Sequence, residues 1–149
     1  MSLDEAVGAI ALTDHHAHAV TAGDLSGPEF ERLITESGRP APAGTTQFDS
    51  QLGFAIRRWC APVLGLEPMA PAADYLERRA ALGGTEVTRR FLAAAGCGQM
   101  MLDTGFETKG SLSLTGMAGA AGAQVTEIVR LETVAELVAA GSEIGRAHV

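Results

Sequence analysis

The chain has 149 residues, of which 46% are hydrophobic and 19% charged, with a formal net charge of -7. That length and balance suit one ordinary folded domain and exclude a disordered polymer. The negative charge, with arginines clustered only as the pairs Arg57-Arg58, Arg78-Arg79 and Arg89-Arg90, excludes a nucleic-acid backbone as partner.

In chain order, Ala9 to Asp14 is an apolar run with a polar end and predicts a first strand. Ser26, with Glu29 three residues on, has capping-box spacing and opens a helix through about Thr35. Arg39 to Gly44 is turn-rich, with two prolines and a glycine. A helix follows from about Asp49 to Cys60, with Leu52, Ile56 and Trp59 at helical spacing and Pro62 just beyond it. Pro71 to Leu82 predicts a third helix, stopped by Gly83-Gly84. Thr85 is expected to cap a fourth, ending at Gly96. Gln99 to Asp103 reads as a second strand, 115–122 as a short helix, Glu127 to Glu132 as a third strand and 132–140 as an Ala-rich helix. Short apolar strands with polar C-terminal ends, alternating with helices, predict an α/β fold with parallel strands and right-handed crossovers. The alternation does not separate an open sheet from a barrel.

Cys60 and Cys97 sit in apolar surroundings with no C-x-x-C spacing, and read as buried free thiols of a reducing, cytoplasmic protein. The first ten residues lack a basic leader pattern, and nothing approaches the ~18 apolar residues of a membrane span, so no membrane partner is expected. The arginine pairs fall in helical patterns and read as solvated surface or ion pairing. Trp59, Met100 and Met101 read as core. Residues 143–149 break the preceding pattern. Read in one frame, a widely used sequencing adapter encodes Ile-Gly-Arg-Ala-His-Val and then a stop, which matches residues 144–149. The tail is therefore expected to be non-native, residues 1–142 to be part of a larger domain, and His148 not to be a ligand.

The chemistry concentrates in Asp14-His15-His16-Ala17-His18, which holds three of the four histidines. In extended chain, side chains alternate, so Asp14, His16 and His18 share one side and His15 the other. Two imidazoles so placed can hold a divalent cation at about 2.0–2.1 Å each for zinc. Their position after an apolar strand is where α/β sites are built. The alternative is a polar strand end whose histidines are satisfied without metal. Asp103 ends the second strand, where it caps the turn through Thr104 and Gly105 or contacts substrate. Arg130 and Glu132 fall on one face at the end of the third. They read as a rim ion pair, or as a site where Arg130 grips a substrate carboxylate. The alternative for Glu132 is the start of the next helix, where the dipole favours an acid.

His16-Ala17-His18 after the first strand resembles the His-x-His element of the amidohydrolase superfamily. The resemblance extends through Phe48-Asp49-Ser50-Gln51-Leu52-Gly53, Tyr75-Leu76-Glu77-Arg78-Arg79, Leu102-Asp103-Thr104-Gly105 and Val129-Arg130-Leu131-Glu132, about residues 9–141. These are similar to a bacterial branch related to amidohydrolase-like domains sometimes fused to glutamine-synthetase-like domains. The resemblance implies the N-terminal part of a (β/α)8 TIM barrel, about three strands with a helical insertion between the first two. It implies a metal-dependent hydrolase that cleaves C–N bonds of a small-molecule substrate with a metal-activated water. His16 and His18 would be metal ligands, with zinc expected first and manganese or another divalent ion next. Isomerase or decarboxylase chemistry fits the same superfamily. The remaining ligands and general base would lie on later strands, so the 149-residue chain itself is expected to be inactive. Homo-oligomers are one option for the full protein. The reading from a different class is a small α/β binding or interaction module with structural histidines.

Overall fold

The computed structural model of the protein describes residues 1–35, 37–106 and 110–140. The expected foreign tail, His148 included, lies outside them. The chain divides into a sheet unit, Met1–Val20 with Cys97–Val149, and a helical unit, Thr21–Gly96. The helical unit falls between the first two strands in sequence, where an insertion is expected.

The sheet unit begins with a helix that the sequence reading did not anticipate, α1 (Leu3–Gly8). The Ser2 hydroxyl accepts the Glu5 N–H at 3.2 Å, and the Ser2 N–H donates to the Glu5 carboxylate at 2.6 Å. Because α1 takes up the first residues, strand β1 starts later than expected, at Leu12–Ala17 rather than 9–14. Strand β2 is Cys97–Asp103 and β3 is Gln124–Ile128, in the order β1-β2-β3, both pairings parallel. Mixed α/β architecture with a parallel sheet is therefore as expected. The third strand lies three to four residues earlier than the expected 127–132. Pairing fixes it: Gln99 lies opposite Gln124 and Asp103 opposite Ile128, so β3 ends where β2 ends. Helix α8 (Leu131–Ala139), the eighth α-helical segment in chain order among the described residues, then begins at once, with Arg130 at its N-cap and Glu132 in its first turn. Arg130 and Glu132 thus do not share a strand face, and the dipole reading of Glu132 is the one the structure supports.

The short helix before β3 runs Leu114–Ala121 and ends at Gly122 (φ 62°), a left-handed stop suited to glycine. At its start the Ser113 hydroxyl accepts the Gly116 N–H at 3.1 Å. Among the described residues, Met100, Leu102 and Met117 are the buried apolar side chains of this unit.

In the helical unit the Ser26 N–H and hydroxyl both donate to the Glu29 carboxylate, and the helix they open, Gly27–Leu33, ends two residues short of Thr35. The expected single helix over 49–60 is instead a chain of short pieces. A 3-10 turn (Gln47–Asp49) precedes an α-helical segment (Gln51–Ala55), a π-helical turn (Ile56–Cys60) and a last α-helical turn (Ala61–Val63). Pro62 lies inside this run, not beyond it. Proline offers no N–H, and the adjacent wide turn, in which Ala61 N–H reaches the Ile56 carbonyl, absorbs the local misfit. Helices Ala72–Leu82 and Gly84–Ala95 complete the unit, ending at Gly83 (φ 77°) and Gly96 (φ 66°). Gly83, not Thr85, is the N-cap of the last helix, and the Gly84 N–H donates to Asp24 Oδ1 at 2.5 Å.

The core of this unit is aromatic. Phe48 and Tyr75 are each 1% exposed, and their ring centroids lie 5.9 Å apart. The Phe30 ring lies 5.7 Å from both, stacked on Phe48 and tilted against Tyr75, and the Arg79 guanidinium covers it at 4.5 Å. Ile56 joins this core, but Leu52 is exposed and so is Trp59 at 68%, so Trp59 is not a core residue. Its face carries Arg58, whose guanidinium is 5.0 Å from the ring. The arginine pairs do more than solvate. Arg57 donates to the Met69 and Ala70 carbonyls, Arg78 to the Leu64 carbonyl, and Arg89 and Arg90 both bind Glu86. Cys60 and Cys97 are half-buried rather than fully enclosed, and burial pushes the Cys60 thiol up.

Candidate metal centre

Parallel pairing sets the C-terminal ends of β1 and β2 side by side, and three chemically capable groups meet there. Between Asp14, opposite Met100, and Ala17, opposite Leu102, β1 advances three residues while β2 advances two. Such an irregularity re-aims side chains at a strand end. His16 lies within it and His18 just past the strand. Their rings pack edge-on at 5.4 Å with an interplanar angle of 71°. Asp14, expected on their side, instead accepts the His16 backbone N–H on Oδ1 at 3.1 Å, a local turn that engages its carboxylate. His15 is exposed.

Asp103, the last residue of β2, brings a carboxylate to the pair. Its Oδ2 is 3.7 Å from His16 Nε2, and its backbone carbonyl is 3.3 Å from His18 Nδ1. One potential ligand atom from each of His16, His18 and Asp103 lies within 4.8 Å of the others. Two imidazoles and one carboxylate fit a divalent cation of the zinc type chemically.

Asp103 is 4% exposed, His16 is 56% exposed, and the buried acid stays charged because of its partners. Arg130 donates from Nε to Oδ1 at 2.8 Å and from Nη2 to Oδ2 at 2.6 Å, a two-pronged grip. These bonds hold the Asp103 carboxyl well below the usual carboxylate range, against burial, which pushes it up; the Gly105 N–H, at 2.9 Å from Oδ1, adds to the lowering. Asp103 raises the Arg130 guanidinium in turn, and Glu132 contributes a smaller push in the same direction. Gly105 matters sterically too: a Cβ there would sit 2.5 Å from Arg130 Nε.

The structure thus joins His16, His18, Asp103 and Arg130 of the residues singled out in the sequence. Glu132 is exposed on α8 and enters only through its charge near Arg130. The turn-capping reading of Asp103 holds, since Gly105 N–H is bound. The partner of Arg130 is Asp103, not Glu132. What sequence reasoning missed is the meeting of Asp103 with the histidines. The available signal was that strands paired in parallel bring their polar C-terminal ends together.

Beyond the cluster, Thr104 donates to Glu127 Oε1 at 2.6 Å beside a cleft of about 540 Å³ lined by Ser111, Ser113 and Thr115. A larger concavity of about 700 Å³ belongs to the helical unit, lined by Pro28, Arg32, Arg39, Pro40 and Gln47. Neither is lined by a histidine or cysteine, so the metal-type chemistry lies outside both. Among the described residues no helix is long and apolar enough to cross a membrane. No family model, no curated protein and no solved structure matches the chain.

Proposed function

We propose that His16 and His18 belong to the metal site of a hydrolase of the amidohydrolase type, acting on a C–N bond of a small molecule. The observation that carries the reading is the convergence of both imidazoles at the C-terminal end of the first of three parallel strands. That is the end at which sites in α/β folds are assembled. A bound divalent cation would supply Lewis acidity for hydrolysis. The protein's own groups would bind and orient it: His16 and His18 by their ring nitrogens, with His18 steered by the Asp103 carbonyl. Arg130, already paired with Asp103, stands at the same rim and offers a cationic surface to a substrate anion.

A water nucleophile also needs a general base, and no described residue beside the histidines is an uncommitted carboxylate: Asp103 is gripped by Arg130 and Asp14 by its own backbone. The activity is therefore proposed for a barrel with additional strands, and the 149-residue chain is expected to show none. The test is hydrolysis of amide and other C–N substrates, with zinc or manganese supplied, by the protein read from its source gene across codon 149. Metal-dependent turnover lost in His16→Ala and His18→Ala is the expected result. Turnover unaffected by either change, or by a chelator, would refute the reading.

One observation favours a second reading. Both Asp103 oxygens are engaged by Arg130, and a buried carboxylate paired with arginine is an ordinary structural device. On that reading the chain is a small α/β binding module whose histidines decorate a strand end, and it would bind no transition metal.

A further inference from the structure

A histidine-pair site leaves unexplained why a buried carboxylate is aimed at the same spot. An ionised carboxylate has about four lone-pair positions. Oδ1 of Asp103 has both of its own filled, by the Gly105 N–H and Arg130 Nε–H. Oδ2 accepts Arg130 Nη2 and retains a second lone pair, and Oδ2 is the oxygen 3.7 Å from His16 Nε2. Two donors each about 2.0–2.1 Å from one tetrahedral cation lie about 3.4 Å apart, so a shift of a few tenths of an ångström closes the difference. On the other side, the Asp103 carbonyl can only accept, so a hydrogen bond at its 3.3 Å contact with His18 Nδ1 places the hydrogen on Nδ1 and assigns Nε2 to the cation. Metal-bound histidines characteristically have their second ring nitrogen held in this way.

The geometry points to Asp103 as a third metal ligand, binding through Oδ2 alone, in a His16–His18–Asp103 centre for a zinc-class divalent cation. Arg130 and the Gly105 N–H are the positioning groups that hold the carboxylate in the required rotamer. A Cβ at 105 would push the guanidinium out of this position. Two imidazoles and one carboxylate select zinc, cobalt or their neighbours over magnesium and calcium, which prefer all-oxygen shells. Three protein ligands leave a position open for water or substrate. The inference rests on the metal-binding half of the function proposed above and not on hydrolysis.

Cobalt(II) is the probe for the chain as it stands. Titration should give one equivalent bound, with the visible absorption of a low-coordinate nitrogen–oxygen site. His16→Ala should abolish the band, Asp103→Asn should weaken binding at least about tenfold, and excess magnesium should not displace the cobalt. Arg130 both orients the carboxylate and draws on its charge, so its removal has no single expected sign and is not the test. A second measurement needs no substitution: in the wild-type chain, the carboxyl carbon resonance of Asp103 should shift with one equivalent of zinc. If Asp103→Asn loses the wild-type circular dichroism spectrum, the carboxyl resonance alone decides. An unshifted Asp103 resonance, a cobalt band unchanged in a folded Asp103→Asn chain, displacement by magnesium, or no binding at all would each overturn the inference. Absence of hydrolysis in the longer protein read from the source gene, alongside an Asp103-dependent cobalt band in the 149-residue chain, would overturn the hydrolase reading and leave the centre standing.

Discussion

Two carboxylates in this chain are each gripped by arginine, and their surroundings make them behave differently. Asp103 is buried, and its partner Arg130 is mostly covered, so added salt reaches the pair weakly. Glu86 lies on the surface, bound by Arg89 Nε and Arg90 Nε at 2.8 and 2.7 Å. These bonds hold its carboxyl at about 2, the hydrogen bonds from Arg89 and then Arg90 being the main causes. Since the folded value is depressed, the stabilisation by Glu86 is complete above the ordinary carboxylate value of about 4.3 and is lost as the pH falls through about 2. An exposed pair is screened, so the effect should shrink in strong salt. The measurement is a carboxyl carbon titration of Glu86 at low ionic strength. A midpoint near 2 that climbs toward the ordinary value in Arg89→Ala/Arg90→Ala is expected, and an ordinary midpoint in the wild-type chain would refute the geometry.

At the scale of elements, the helical unit depends on one close approach. A Cβ at Gly53 would collide with the backbone of Phe48, whose ring belongs to the buried aromatic core. Neither partner can move away cheaply, because Phe48 is pinned by Tyr75 and Phe30. Gly53→Ala should therefore destabilise the fold by about 1–3 kcal/mol, despite alanine's better helix propensity. Urea unfolding followed by Tyr75 fluorescence or circular dichroism reads it, and a variant as stable as wild type would show that Phe48 packs more loosely. This contact was invisible in sequence, where Phe48 and Gly53 are merely five residues apart, and the irregular helical run that begins there hid behind a regular pattern of Leu52, Ile56 and Trp59. Periodicity marks a face but not which neighbour covers it, which is why only Ile56 of the three is buried. The existence and order of the strands was legible because apolar runs with polar ends are a local property. Their ends were not: β1 is displaced by α1, and β3 by its register against β2. At the site, His16 and His18 were legible from strand alternation. The partnership of Asp103 with Arg130, 27 residues away, depends on that register and could not be read locally.

At the scale of the whole chain, the sheet unit presents apolar surface that parallel sheets normally cover. β2 holds the buried side chains Met100 and Leu102, whereas Leu12 on β1 and Val129 and Leu131 after β3 are exposed. Leu137 and Val138 on α8, and Leu3 and Val7 on α1, are exposed as well. Among the described residues β1 and β3 each pair on one side only, so each leaves a strand edge for further pairing. Parallel strands are usually sandwiched between covering layers, and apolar patches at open edges drive association. The net charge of -7 opposes this at long range, but salt screens it within about 8–10 Å, leaving the contact-range apolar attraction in control. The 15.4 kDa chain should therefore self-associate at about 10–100 µM in physiological salt. Sedimentation or light scattering should give a mean mass above 15.4 kDa that rises with concentration and with added salt. Leu137→Lys combined with Val138→Lys changes two exposed positions of α8, so it should lower the mass without altering the circular dichroism spectrum. A monomer at every concentration would mean that the exposed side chains are too scattered to act as one patch, and a mass unmoved by the α8 pair would place the contact on the strand edges instead.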